Sequence, residues 1–312
     1  MKYLIFFLAL TIITLAPFFG QIPIELHNLN NPITVDYKLF WDIRLPRVVL
    51  AFFAGSILAL GGLVFQSLFK NPMSTPYTLG VASGSTLGVA FAIVFGFTSL
   101  LSLFGFLGAL ITVIVLFTLT LKLKSYETNA LLLVGIALAF FYNAALMILF
   151  YISDESQSFE IIRFTMGSVD VVGLEHTLPI VLASLALFAI TYYYKKELKL
   201  LLTSNDYAYL KGVEVKKVNT ILLVAVSVAV GVCVSLTGPI GFVGLIIPHI
   251  IKSIYKKSAE QLMLPIFFYG GVFLVASDLI ARNLGANTDI PIGIVTAFLG
   301  GPFFIYLIIK RR

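Results

Sequence analysis

Long stretches without a single charged residue decide what this chain can fold into. Residues 3–19, 48–69, 71–121, 128–153, 177–194, 218–251, 261–277 and 290–309 each lack Asp, Glu, Lys and Arg. A helix of about 20 apolar residues crosses a hydrocarbon core of about 30 Å. These runs therefore have the lengths of membrane-spanning helices. Composition agrees: 59% of the 312 residues are hydrophobic and 12% are charged, against roughly 25% charged in soluble domains. A soluble fold would lack a charged surface, and a disordered chain would not carry so much apolar side chain. A net charge of +6 would suggest nucleic acid in a soluble protein. Here the basic residues act as orientation signals, and no nucleic-acid partner is expected. The single cysteine, Cys233, excludes an intramolecular disulfide and a cysteine-based metal or redox site.

Two runs need division. Residues 71–121, 51 in all, are flanked by Lys70 and Lys122/Lys124 and hold two spans. Residues 218–251, 34 in all, lie between Lys216/Lys217 and Lys252, Lys256 and Lys257. Basic residues favour the cytoplasmic side, so the chain should enter and return, turning near Gly238-Pro239-Ile240-Gly241. The return leg, about 242–251, is short for a span and reads as a short or re-entrant helix buried in protein. The expectation is an all-α integral membrane protein of about ten transmembrane helices, both termini cytoplasmic, forming one domain over residues 1–312. It places 16 of the 21 basic residues inside, leaving Lys38, Arg44, Arg47, Arg163 and Arg282 outside with 10 of the 15 acidic residues. Residues 3–19 could instead be a cleaved signal peptide. Ala16-Pro17-Phe18 is a poor small-residue cleavage site, so the run is read as a span.

Small residues at four-residue spacing let helix backbones approach in lipid. Gly80/Gly84/Gly88, Gly293/Ala297/Gly301 and Gly55/Ala59/Gly62 have that pattern, read as intramolecular contacts. Catalytic chemistry is absent from the sequence. There is no Walker A loop, no His-Glu-x-x-His and no Gly-x-Ser-x-Gly, and His27, His176 and His249 are dispersed. The chain is not expected to be an enzyme. Ion-coupled transporters keep ionisable groups mid-span, whereas here Asp278 and Arg282 sit at the outer end of the ninth span. A self-contained secondary transporter is the rival reading. A chain that borrows energy from a partner fits better.

Four stretches carry a family resemblance. They are Arg44-Leu45-Pro46-Arg47 followed by Ala54-Gly55-Ser56 and Gln66; Asn71-Pro72-Met73-Ser74-Thr75-Pro76 followed by Leu79–Gly84; Gly238–His249; and Asp289-Ile290-Pro291-Ile292-Gly293 through Gly300-Gly301-Pro302-Phe303-Phe304. In this order the chain resembles the FecCD family, permease subunits of bacterial type II ABC importers for iron-siderophore complexes, haem and vitamin B12. The resemblance implies a multi-pass subunit of the bacterial cytoplasmic (inner) membrane, with ferric siderophore as the first choice of cargo. It implies a second permease subunit, two cytoplasmic ATPase subunits that bind the ATP and Mg, and an extracytoplasmic binding protein. No cofactor and no metal site are implied in this chain.

The resemblance also assigns residues. Arg44, Arg47 and Arg282 would face outward and pair with glutamates of the binding protein, a role suited to the bidentate guanidinium fork. Asn71 and Met73, with Thr128 and Asn129, would close the pathway on the cytoplasmic side, and the fifth and tenth spans would line it. The cytoplasmic segment 203–217 would couple to the ATPase through Ser204, Asn205, Asp206, Tyr207, Leu210, Gly212 and Val213. From the residues themselves, Ser204 or Asn205 can cap a short helix that Gly212 ends, with a second short turn from Glu214.

Overall fold

The computed structural model describes residues 2–122, 128–284 and 289–310, and every regular element among them is helical. The apolar helices are α1 (Lys2–Leu15), α2 (Leu45–Leu68), α3 (Val81–Val94), α4 (Leu101–Lys122) and α5 (Thr128–Ile152). An amphipathic helix, α6 (Glu155–Thr165), precedes the apolar α7 (Leu178–Tyr193), which two short helices follow, α8 (Lys195–Thr203) and α9 (Asn205–Leu210). The chain closes with α10 (Val215–Thr237), α11 (Val243–Tyr255), α12 (Ala259–Leu284) and α13 (Ile292–Lys310). Among the described residues, six helices are long and apolar enough to cross a membrane: α2 with the turns before it, α4, α5, α7, α10 and α12. Four shorter apolar helices, within α1, α3, α11 and α13, stand where the charge pattern marks off the remaining runs.

The break in the 34-residue run falls at the expected place. Helix α10 stops at Thr237, and Gly238 and Phe242 both take positive φ before α11 begins at Val243. The return helix reaches Tyr255 rather than Ile251, because no breaker intervenes until Lys256 turns left-handed. It lies between α2 and α12, the protein-lined setting that a short helix at membrane depth requires.

Apolar area alone does not hold helices together in lipid; backbone proximity and polar ties do. A methyl group on Gly62 would land on the Gly244 carbonyl, so α2 and α11 touch backbone to backbone. Beside this contact, Gln66 Nε2 donates to Gly244 O at 3.1 Å and Lys252 Nζ donates to Gln66 Oε1 at 3.2 Å. Gly55 meets Gly270 of α12 in the same way, and Ser56 Oγ reaches Phe267 O at 2.9 Å. Gly84 and Gly88 do this for α3 against Gly108 and Phe104 of α4. Gly80 departs from the predicted stripe: it caps the Pro76–Leu79 turn at φ +76° and lies outside the helix. Gly301 departs too, because nothing lies within 4 Å of a methyl placed there.

Burial is uneven. Of an 18-residue apolar stretch in α2 and the turns before it 83% is buried, against 17% of one in α5. Phe140, Phe141, Met147 and Tyr151 on α5, and Phe298, Ile305 and Ile309 on α13, project outward.

Candidate functional site

Arg44 closes a π-helical turn, Leu39–Arg44, that runs directly into α2, and Arg47 sits in the first turn of α2 beside Pro46. A spacing of three puts both guanidiniums near one helix face. That face looks into the molecule. Arg44 is 5%, Arg47 9% and Arg282 4% exposed.

Arg47 gathers three carboxylates. Its Nε lies 2.8 Å from Asp278 Oδ1, and its Nη1 lies 2.7 Å from Asp170 Oδ1 and 2.5 Å from Asp289 Oδ2. Arg282, one turn along α12 from Asp278, approaches its Oδ2 at 3.5 Å and donates from Nη2 to Ala16 O at 2.8 Å. Arg44 donates to Phe18 O at 3.1 Å and to Ile22 O. The arginines therefore stitch together the end of α1, the start of α2, the segment after α6, the end of α12 and the approach to α13. Backbone bonds hold those segments in place: Ser168 N to Thr237 O at 2.7 Å, Gly173 N to Asp42 O at 2.7 Å and Ile290 N to Ala281 O at 3.2 Å.

Asp278 is fully buried, so its charge depends on Arg47 and Arg282. Buried pairs gain little net energy when complete, but losing one partner costs about 3–5 kcal/mol because a charge is stranded. Asp170 and Asp289 differ, with side chains 42% and 36% exposed. They bound a cavity of about 470 Å³ with Arg47, Arg163, Phe159 and Met166. Arg163, on α6, is the exposed cation of this rim, 3.6 Å from Asp170 Oδ2.

Reading the sequence brought the three arginines to one end of the molecule, and the structure does the same. It turns their side chains inward onto carboxylates and carbonyls. Their acidic partners were not foreseen as site residues. Helix α6 was legible, since Asp154 and Gln157 have capping-box spacing, whereas Asp170, beyond its end, carries no local signal. Asp154 Oδ1 accepts from Gln157 N at 2.8 Å, and Gln157 Oε1 accepts from Asp154 N at 3.2 Å.

The remaining predicted residues lie elsewhere. Asn71 and Met73 occupy the exposed turn after α2, where Asn71 Oδ1 accepts from Met73 N at 3.0 Å. The turn that follows lies on α5 near Gly135. Thr128 and Asn129 open α5, and their side chains lie outside the described residues. Ser204 caps α9, its Oγ accepting from Asp206 N and Tyr207 N, and Gly212 takes φ +84° after the helix. Asn205, Asp206, Tyr207 and Leu210 form α9, and Val213 N bonds Ala208 O at 3.1 Å. The expected second short turn is absent: Glu214 leads directly into α10, whose apolar face is continuous from Val218. Helix α8, unforeseen, buries Leu198 and Leu201 beneath lysines.

Residues 6–310 match the FecCD transport family. This chain belongs to that family. It is 33% identical over 304 residues to the hemin transport system permease protein HmuU of Yersinia pestis, covering 94% of this chain and 90% of the relative. It is 32% identical over 285 residues to the vitamin B12 import system permease protein BtuC of Vibrio cholerae, covering 89% and 85%. A solved metal-chelate type ABC transporter in an inward-facing conformation superimposes with a TM-score of 0.86 at 30% identity, covering 99% of this chain and 98% of that one. The protein is thus an ABC importer permease of the FecCD family and a multi-pass membrane protein.

Proposed function

We propose that this chain, as one domain, forms half of an ATP-driven import pathway in a bacterial cytoplasmic membrane and carries a ferric siderophore. The observation that carries the reading is the near-complete superposition on a metal-chelate type transporter. A haem or vitamin B12 cargo is the second reading, favoured by the hemin and B12 permeases among the relatives. In this scheme the arginine end is external and the lysine-rich end is cytoplasmic. The exposed faces of α5 and α13 meet the second permease subunit and line the pathway. Asn71, Met73, Thr128 and Asn129 close it, and the segment around Ser204–Val213 engages one of two ATPase subunits, which bind ATP and Mg. Access alternates between the two sides as those subunits close and open.

A binding protein docks at Arg44, Arg47 and Arg282, and the ion pairs suggest how. Carboxylates of the incoming protein replace Asp170 and Asp289, the two exposed partners of Arg47, while buried Asp278 stays.

Uptake into proteoliposomes, with and without ATPase and binding-protein partners, tests the function. The three-component system should import cargo only with ATP; uptake by this chain alone, insensitive to ATP, refutes the proposal. Competition among a ferric siderophore, hemin and cobalamin separates the cargo readings. For docking, Asp170→Asn should strengthen binding-protein association severalfold by removing a competitor. Association unchanged by Asp170→Asn and by charge reversal at Arg47 would sink the exchange.

A further inference from the structure

A second cavity is lined by none of the arginines. It is a groove of about 610 Å³ whose walls are α4 and α7 and whose floor is α10. Its lining is apolar apart from Thr220. Small residues, Ala183, Ala225 and Ala229 among them, open the space. Along α4 the groove runs from Leu110 to Phe117, and along α10 from Thr220 to Ala229. At 1.5 Å per residue it is about 10–14 Å long, close to half of a hydrocarbon core of about 30 Å. That is the depth of one lipid leaflet.

Lysines follow or precede the lining segments at one end of this groove. Helix α4 ends at Lys122, five residues beyond Phe117. Lys195 and Lys196 follow α7 directly, five and six residues beyond Ile190, the last groove residue there. Lys216 precedes Thr220 by four. On α10 the Lys216 position stands about 6 Å past the apolar lining, and Lys195 and Lys196 open the short helix α8 that follows α7. Lys195 Nζ rests 3.7 Å over the Tyr192 ring, and Lys217 lies 3.9 Å from Glu214. Lys196 and Lys216 are exposed and have no carboxylate in salt-bridge range among the described residues.

We infer that the groove between α4, α7 and α10 holds an acyl chain of an anionic phospholipid, with its phosphate near Lys196 and Lys216. A basic collar over an apolar cleft between membrane helices is the arrangement that retains anionic lipids. The assignment requires only that the chain lies in a bilayer, so it stands whether the cargo is a siderophore, haem or B12.

The test uses the assembled transporter, equilibrated with vesicles containing phosphatidylcholine and phosphatidylglycerol in equal amounts, then extracted and read by native mass spectrometry. Phosphatidylglycerol should be retained over phosphatidylcholine by about fivefold or more, because each lysine near the surface contributes about 1 kcal/mol, a factor of about five. The double variant Lys196→Gln/Lys216→Gln should lose that preference. Ala225→Phe, which fills the groove, should lose the retained lipid of either headgroup. Phosphatidylglycerol with a photoreactive acyl chain should label peptides of α4, α7 and α10 in the unsubstituted protein, a readout that needs no variant to fold. Equal retention of both lipids overturns the proposal, as does labelling confined to other helices. Loss of the permease dimer in Ala225→Phe would mark the groove as a protein interface and overturn it as well.

Discussion

The two ends of the molecule use charge in opposite ways. At the arginine end Arg47, Asp278 and Arg282 are buried and bound to one another. At the lysine end Lys196, Lys199, Lys211, Lys216 and Lys217 stand in solvent, and Lys199 reaches only the half-exposed Glu260, at 3.5 Å. A buried charge is worth what its partner supplies and is ruinous without it. An exposed one contributes little to stability and remains available to something outside the chain. The first end uses its charges to join segments of the chain, and the second leaves them at the surface.

The sharpest way to break this contrast is Arg47→Ala, which takes the 2.8 Å partner from buried Asp278 and leaves it only Arg282 at 3.5 Å. It should cost about 3–5 kcal/mol, seen as a lowered unfolding midpoint of the purified assembly and poor membrane yield. Replacing both, Arg47→Met with Asp278→Leu, should not restore the midpoint, because buried Arg282 then loses its carboxylate. An unchanged midpoint in the single variant would show that the cluster does not hold the arginine end. Gly62→Val, which forces a side chain into the α2–α11 contact, should cost about 1–3 kcal/mol by overpacking, read in the same melt. Ser204→Ala removes the cap of α9 and should cost about 1 kcal/mol, visible as faster amide exchange over 205–210 with no change in the global melt. Lys196→Gln should alter stability by no more than about 0.5 kcal/mol. A larger effect would mean that the lysine end is structural after all.

How much of this was legible in the sequence follows from what each feature depends on. The apolar runs and the break at Gly238 depend on local composition, and the helices appear where composition puts them. The apolar run ends at Ile251 because Lys252 bounds it, yet α11 continues to Tyr255 and the Lys252 Nζ runs back to Gln66 of α2. That bond spans 186 positions, and no local pattern announces it. The arginines were visible as charges outside the apolar core. Their inward orientation was not, because it depends on Asp170, Asp278 and Asp289, which lie in three separate segments. Gly301 carried the same spacing signal as Gly293, yet only Gly293 meets a neighbour, the Met166 carbonyl. Spacing marks a face capable of close approach and leaves open whether the approaching helix belongs to this chain.

The contact between Gly62 and Gly244 has a mechanical consequence. Where side chains separate two helices, rotamer changes absorb small displacements. Here two backbones meet with nothing between them, and close-packed matter transmits strain rather than yielding. A push on α11 from the lysine end reaches α2 undamped, and α2 carries Arg47 at its far end. The two glycines form a fulcrum, and α2 is the lever arm between the ends.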